Sequence, residues 1–150
     1  MLQRSLLIVE DDPALAAQLE ELFRLEGYAV RTAPDGLDAL RLLAADATPD
    51  LMLLDMHMEG VTGWDLGAEL KAQGLHVPTL VITGDRDPRQ CAGQVGAAAY
   101  LAKPFELGEL LSAVEELLAS QRVPSRGAQT ANAAPDGVAP TRAPRRELGA

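Results

Sequence analysis

The chain has 150 residues, 47% apolar and 23% charged, which is enough apolar material for one core and an ordinary charge content for a soluble domain. Its longest apolar runs fall far short of the roughly 20 residues a membrane span needs and no secretory signal opens it, so a cytoplasmic location is expected. The net charge of −9 is uneven, with 8 basic against 20 acidic side chains in residues 1–120, and such an acidic body argues against nucleic-acid binding and membrane attachment.

Apolar runs of four or five residues alternate with segments of helical period, the pattern of repeated βαβ units around a parallel sheet. The first strand is LLIV, Leu6 to Val9, followed by a helix from Pro13 to about Leu25 with Leu15, Leu19, Leu22 and Phe23 on one face and Gly27 closing it. YAVRT, Tyr28 to Thr32, carries Arg31 and reads as an edge strand; behind the turn PDG a second helix covers about Leu37 to Ala45. LMLL, Leu51 to Leu54, is the third strand, and the helix after it spans about Gly63 to Gln73 with Trp64, Leu66 and Leu70 partly buried. TLVI, Thr79 to Ile82, precedes a short helix that starts at Pro88 behind Asp87 and contains Gly93, which makes it the weakest of the set. The single cysteine, Cys91, falls in this helix; it excludes an internal disulfide and reads as a small apolar filler. AYLA, Ala99 to Ala102, is the fifth strand, and Leu107, Leu110, Leu111, Val114, Leu117 and Leu118 form the stripe of the last helix. The apolar content of every strand except YAVRT suits burial inside a parallel sheet.

The expected architecture is therefore one α/β domain over residues 1–120. Residues 121–150 contain five arginines against Asp136 and Glu147, no aromatic residue, and proline or glycine every few positions. That composition predicts a disordered tail or linker. A segment of this kind cannot hold a further folded domain, so residues 1–120 are expected to work alone or as one part of a longer chain.

In an open parallel sheet, ligands bind beyond the carboxyl ends of the strands, where strand order reverses. Glu10 and Asp11 follow the first strand, Asp55 the third, Thr83 and Gly84 the fourth, and Lys103 the fifth. Carboxylates converging there repel one another and call for a cation; oxygen ligands with positions left for water and a phosphoryl oxygen suit Mg2+. Asp55 stands alone after its strand and is the natural nucleophile, while the acid pair holds the metal. Lys103 supplies a second positive charge, and Thr83 a hydroxyl for the transferred group.

The motifs LLIVEDD, DLMLLDMHMEGVTG, TLVITG and AAAYLAKPF, in this order and each at a strand end, closely resemble the receiver domain of a two-component response regulator, from about Ser5 to Ser120. The resemblance implies a CheY-like, doubly wound (βα)5 fold with strand order 2-1-3-4-5. It implies that Asp55 accepts a phosphoryl group from a histidine kinase or phosphotransfer protein in a Mg2+-dependent step. Asp11 would hold the metal directly, Glu10 would help through water, and His57 would lend its backbone carbonyl rather than its side chain. Thr83 and Tyr100 would form the switch, Lys103 would precede a cis peptide to Pro104, and the face of the fourth helix, fifth strand and fifth helix would signal to a downstream protein, with a phosphorylation-dependent homodimer as one form of output. Asp12 falls outside the acid pair and, standing before Pro13, suits the N-cap of the first helix.

Three departures from the family pattern bear on output and on phosphoryl lifetime. Glu59 stands where many receivers have proline, the interval from Thr83 to Lys103 is slightly short, and Asp85 occupies a position that tunes hydrolysis in the family. The receiver reading makes the chain a phosphoacceptor rather than an enzyme acting on a separate substrate. A phosphatase with an aspartyl nucleophile usually has a second acid where this chain has His57, and a non-phosphorylated receiver-like scaffold does not need the complete set of Asp11, Asp55, Thr83 and Lys103.

Overall fold

The computed structural model describes residues 3–45 and 47–121. Strands and helices alternate as β1 (Ser5–Val9), α1 (Pro13–Leu25), β2 (Ala29–Ala33), α2 (Gly36–Ala45), β3 (Leu51–Asp55), α3 (Gly63–Ala72), β4 (Thr79–Thr83), α4 (Pro88–Val95), β5 (Ala99–Ala102) and α5 (Leu107–Gln121). Every strand pairing is parallel, and the order across the sheet is β2-β1-β3-β4-β5. This is the doubly wound α/β fold expected. The expected tail falls on residues 122–150, outside the described residues, apart from Gln121, which closes α5.

Side chains along a strand alternate between faces, and this alternation builds two cores from one set of strands. Leu7, Val9, Met52, Leu54 and Val81 pack under α2, α3 and α4 against Ala39, Leu43, Leu66, Leu70 and Cys91. Leu6, Ile8, Leu51, Leu53, Leu80 and Ile82 pack on the other face against Leu19 and Phe23 of α1 and Leu110, Val114 and Leu118 of α5. Right-handed crossovers place helices on opposite faces once the winding reverses, and the reversal falls between β1 and β3. Burying a side chain the size of Phe23 completely contributes about 1.5–3 kcal/mol, so these two layers carry most of the stability.

The sheet has two edges, β2 and β5, as the strand order implied by the resemblance requires, although composition marked only β2. β2 pairs with β1 alone and keeps Ala29 exposed and Arg31 half-buried. β5, expected to be buried like the central strands, pairs with β4 alone; Ala99, Tyr100 and Leu101 are half-buried and Ala102 is exposed. Tyr100 packs on the α4 face of the sheet and Ala99 and Leu101 on the α5 face, and an apolar run of four cannot show that no further strand lies beside it. Strand boundaries also run a residue further toward the site than expected, so that Asp55 and Thr83 are the last residues of their strands.

The opposite end of the sheet is tied by polar side chains. The Ser5 N–H donates to Asp50 Oδ2 at 2.7 Å, Arg4 Nη1 lies 3.7 Å from Asp50 Oδ1, and Arg4 Nη2 donates to the Leu118 carbonyl at 3.1 Å. These contacts anchor α5 to the start of β1 and leave the carboxyl ends of the strands free for chemistry.

Candidate metal and phosphoryl site

Strand register brings the site residues together. Val9 lies opposite Leu54, Asp55 opposite Ile82, and Thr83 opposite Ala102. Glu10, one residue past β1, therefore stands beside Asp55, and Lys103, one residue past β5, stands opposite Gly84, next to Thr83. Two backbone bonds extend the ladder far enough to hold them: Glu10 N–H to the Ala33 carbonyl at 3.0 Å and Lys103 N–H to the Thr83 carbonyl at 2.8 Å. The Lys103–Pro104 peptide is cis, as the resemblance implied.

Glu10, Asp11 and Asp55 each present a carboxylate oxygen within 4.8 Å of the others. Asp55 is 3% exposed and Glu10 is 4% exposed, whereas Asp11 faces solvent. Lys103 Nζ lies 3.5 Å from Asp55 Oδ1 and 3.9 Å from Glu10 Oε1. One ammonium thus faces two buried carboxylates, with the exposed Asp11 carboxylate beside them. Burial pushes the Glu10 carboxyl up to about 7; the Asp12 N–H and Lys103 oppose this, while the neighbouring Asp55 adds to it. Burial of this acid, with the Asp55 carboxylate beside it, makes its ionised form costly unless a cation joins it. The residues fit a hard divalent cation: three oxygen donors, one of them open to water, and an uncompensated charge at their centre.

The trio Glu10, Asp11 and Asp12 divides by geometry. The Asp12 side chain accepts from Ala14 N–H at 3.0 Å and from Leu15 N–H at 3.4 Å, capping α1 with Pro13 in its first turn. Its own N–H donates to Glu10 Oε2 at 3.1 Å, so the cap residue also orients the buried acid. Asp12 contributes nothing to the carboxylate cluster itself.

Around Asp55 the loop after β3 is held closely. The His57 N–H donates to Asp55 Oδ1 at 3.2 Å, and the Gly63 N–H donates to the Met56 carbonyl at 3.2 Å. Gly63 is required there: a Cβ would lie 2.8 Å from Met56 Cα and 2.6 Å from its sulfur. Thr83 is fully buried, and its hydroxyl accepts from the Asp85 N–H at 3.0 Å. Tyr100 is half-buried against the core under α4. Glu59, which stands where many receivers have proline, is exposed and lies outside the carboxylate cluster.

Sequence reasoning missed one set of contacts. His57, expected to be a solvent-facing loop residue, is exposed, yet its Nε2 meets Asp85 Oδ2 at 3.1 Å and its ring packs edge-on to Trp64 with centroids 5.2 Å apart. Cys91, expected to be filler, is buried but donates its thiol to the same Asp85 oxygen at 3.3 Å. Nothing local in the chain announces these pairs, since each joins residues from different strand-end loops or helices.

Comparison with known proteins agrees with this geometry. The model of the response regulator receiver domain matches residues 6–115, and the chain belongs to that family. It is 38% identical over 115 residues to the response regulator MprA of Mycobacterium ulcerans (strain Agy99), covering 75% of this chain and 49% of that protein. MprA of Mycobacterium tuberculosis (strain ATCC 25618 / H37Rv) matches equally, with 50% of that protein covered, so the chain spans about half the length of these curated relatives. Among solved structures, the response regulator TrrA of Thermotoga maritima, in complex with Mg2+ and beryllofluoride, superposes with a TM-score of 0.68 at 28% identity, covering 77% of this chain and 99% of that one. The chemotaxis response regulator CheY4 of Vibrio cholerae gives a TM-score of 0.69 at 28% identity, covering 77% and 98%. The chain is thus a receiver domain of two-component signalling. No helix among the described residues is long and apolar enough to cross a membrane.

Proposed function

We propose that this receiver accepts a phosphoryl group on Asp55 from the phosphohistidine of a kinase or phosphotransfer protein. The observation that carries the reading is the meeting of Asp55, Glu10, Asp11 and Lys103 at the carboxyl ends of three strands. The family and the Mg2+–beryllofluoride complex of the Thermotoga maritima relative support it.

In this mechanism an Asp55 carboxylate oxygen attacks phosphorus as the P–N bond to the donor imidazole breaks. The leaving imidazole nitrogen takes its proton from solvent, and Asp55 becomes an acyl phosphate. Asp11, Asp55 and the His57 carbonyl would hold Mg2+, with Glu10 helping through water, and the ion would supply charge neutralisation for the phosphoryl oxygens. Lys103 Nζ, already 3.5 Å from Asp55 Oδ1, holds the carboxylate and then a phosphoryl oxygen. The Thr83 hydroxyl donates to the transferred group, Tyr100 turns inward, and the α4–β5–α5 face changes its affinity for a protein partner or a second copy. Such a change is a population shift, driven by tighter binding of the phosphoryl group in the active packing.

Intact-mass analysis after incubation with Mg2+ and phosphoramidate tests the assignment. One added phosphoryl group on the wild-type chain and none on Asp55→Asn is the expected result; equal labelling of both would refute it.

A further inference from the structure

We propose that His57, Asp85 and Cys91 form a side-chain clasp across the mouth of the site, which holds the resting arrangement and must open for the phosphoryl switch to operate. The proposal rests on the reading of Asp55 as phosphoacceptor and concerns what restrains the switch. His57 lies in the loop after β3, Asp85 in the loop after β4, and Cys91 on α4, so three separate pieces of chain meet at one carboxylate oxygen, Asp85 Oδ2.

Each end of the clasp is connected to the reacting groups. At one end, the His57 N–H donates to Asp55 Oδ1 at 3.2 Å. At the centre, the Asp85 N–H donates to Thr83 Oγ1 at 3.0 Å, so the position of Asp85 sets the orientation of the buried hydroxyl. At the far end, Cys91 fastens the same residue to α4. Burial, followed by the Asp85 carboxylate, pushes the Cys91 thiol upward against an opposing effect of Thr83, so the sulfur keeps its proton and serves as donor.

A second tether runs in parallel. Trp64 of α3 stacks edge-on to His57 and donates its indole N–H to Gln94 Oε1 of α4. Two turns of helix are drawn together there by Gly67, where a Cβ would lie 2.9 Å from Val95 Cγ1. The loop next to Asp55, the hydroxyl of Thr83 and the body of α4 are thereby one mechanical unit in the unphosphorylated protein.

Phosphorylation would load this unit at its Asp55 end. Conversion of a carboxylate to an acyl phosphate leaves a neutral carbonyl oxygen where a charged acceptor stood, and hydrogen bonds to charged acceptors are roughly twice as strong as neutral ones. The His57 N–H then loses much of its partner, and the Thr83 hydroxyl is drawn toward phosphoryl oxygens. A clasp that stabilises only the resting state lowers the affinity of the site for any phosphoryl mimic by the factor it contributes to that state.

Beryllofluoride with Mg2+, titrated against the full chain, tests this. Trp64 is the single tryptophan and stacks on His57 of the clasp, so its fluorescence reports the opening. Cys91→Ala and Asp85→Ala should each bind beryllofluoride on the order of three- to tenfold more tightly than wild type, the scale of one or two hydrogen bonds. Cys91→Ser, which keeps a donor, should return toward wild-type affinity, and the double variant Asp85→Ala/Cys91→Ala should gain no more than the stronger single one. Thermal melting checks each variant; Asp85 is an exposed loop side chain, so its replacement keeps the measurement available if the core change at Cys91 fails to fold. Unchanged or weaker beryllofluoride binding in the folded variants, alongside an Asp55-dependent response in wild type, would overturn the clasp alone. No Asp55-dependent response in wild type would overturn the phosphoacceptor reading, and the clasp's role with it.

Discussion

Lys103 Nζ lies 3.5 Å from Asp55 Oδ1, although the two residues leave strands that are not neighbours in the sheet. β4 separates them, and the lysine reaches across the end of that strand, over Thr83, to the carboxylate. A side chain one-third exposed thereby places its charge against an acid that is 3% exposed.

Replacing Lys103 with alanine should leave the fold intact and slow phosphoryl transfer to Asp55 on the order of a hundredfold, as removal of one preorganised donor does at comparable sites. Timed intact-mass measurements with phosphoramidate would show the rate, and circular dichroism would show that the fold persists. Labelling at the wild-type rate would mean that Lys103 does not stabilise the transferred group.

Within the acidic trio, Asp11→Ala and Asp12→Ala should separate cleanly. Asp11→Ala removes the solvent-facing donor of the cluster and should weaken Mg2+ binding at least tenfold, on the order of 1.4 kcal/mol or more, with little effect on melting. Asp12→Ala removes the cap of α1 and should cost about 1 kcal/mol of stability with a much smaller loss of Mg2+ affinity. Isothermal titration with Mg2+ and chemical denaturation of both variants give the comparison.

Glu10 predicts a pH dependence. Its carboxyl is held up at about 7 in the folded chain against an ordinary 4.5, so between those values the folded state keeps a proton that the unfolded state has lost. In metal-free protein the associated stability is fully present below about 4.5 and falls as pH rises through about 7, by up to about 3 kcal/mol. Urea unfolding at pH 5 and pH 8 should show the decline, and Glu10→Gln should flatten it. Over the same range Mg2+ should bind more tightly as pH rises, because the metal competes with that proton.

Gly63→Ala should destabilise the loop that follows Asp55. The added methyl would press on the Met56 backbone at 2.8 Å, which cannot yield as a flexible side-chain tip does. A loss of about 1–3 kcal/mol is expected, accompanied by slower labelling of Asp55. Alanine at Gly93, which has open space around the position, should leave labelling unchanged.

Much of this molecule was legible in its residues. Proline after Asp12 and again after Asp87 marked two helix starts, and the helix boundaries of α1 match the expected Pro13 and Leu25. Asp55, Thr83 and Lys103 could be aligned as site candidates because each follows an apolar run, and strand ends are where a parallel sheet binds its ligands. Partial burial of β5 was not legible in its composition: AYLA looks like a core strand, and its edge position followed only from the strand order that the resemblance implied. Nor could the roles of His57 and Cys91 around Asp85 be read, since a loop histidine and a buried thiol acquire partners only when separate loops and α4 converge.

The sequence by itself determined the alternation of strands and helices, the faces each element buries, and the residue types delivered to the strand ends. These depend on local periodicity and on caps, which act over a few residues. Tertiary structure decided which charges meet, how deeply each is buried, and hence that Glu10 holds its proton toward neutrality while Asp11 stays in water. Desolvation and pairing depend on neighbours brought from distant parts of the chain, and only the packed sheet supplies those neighbours.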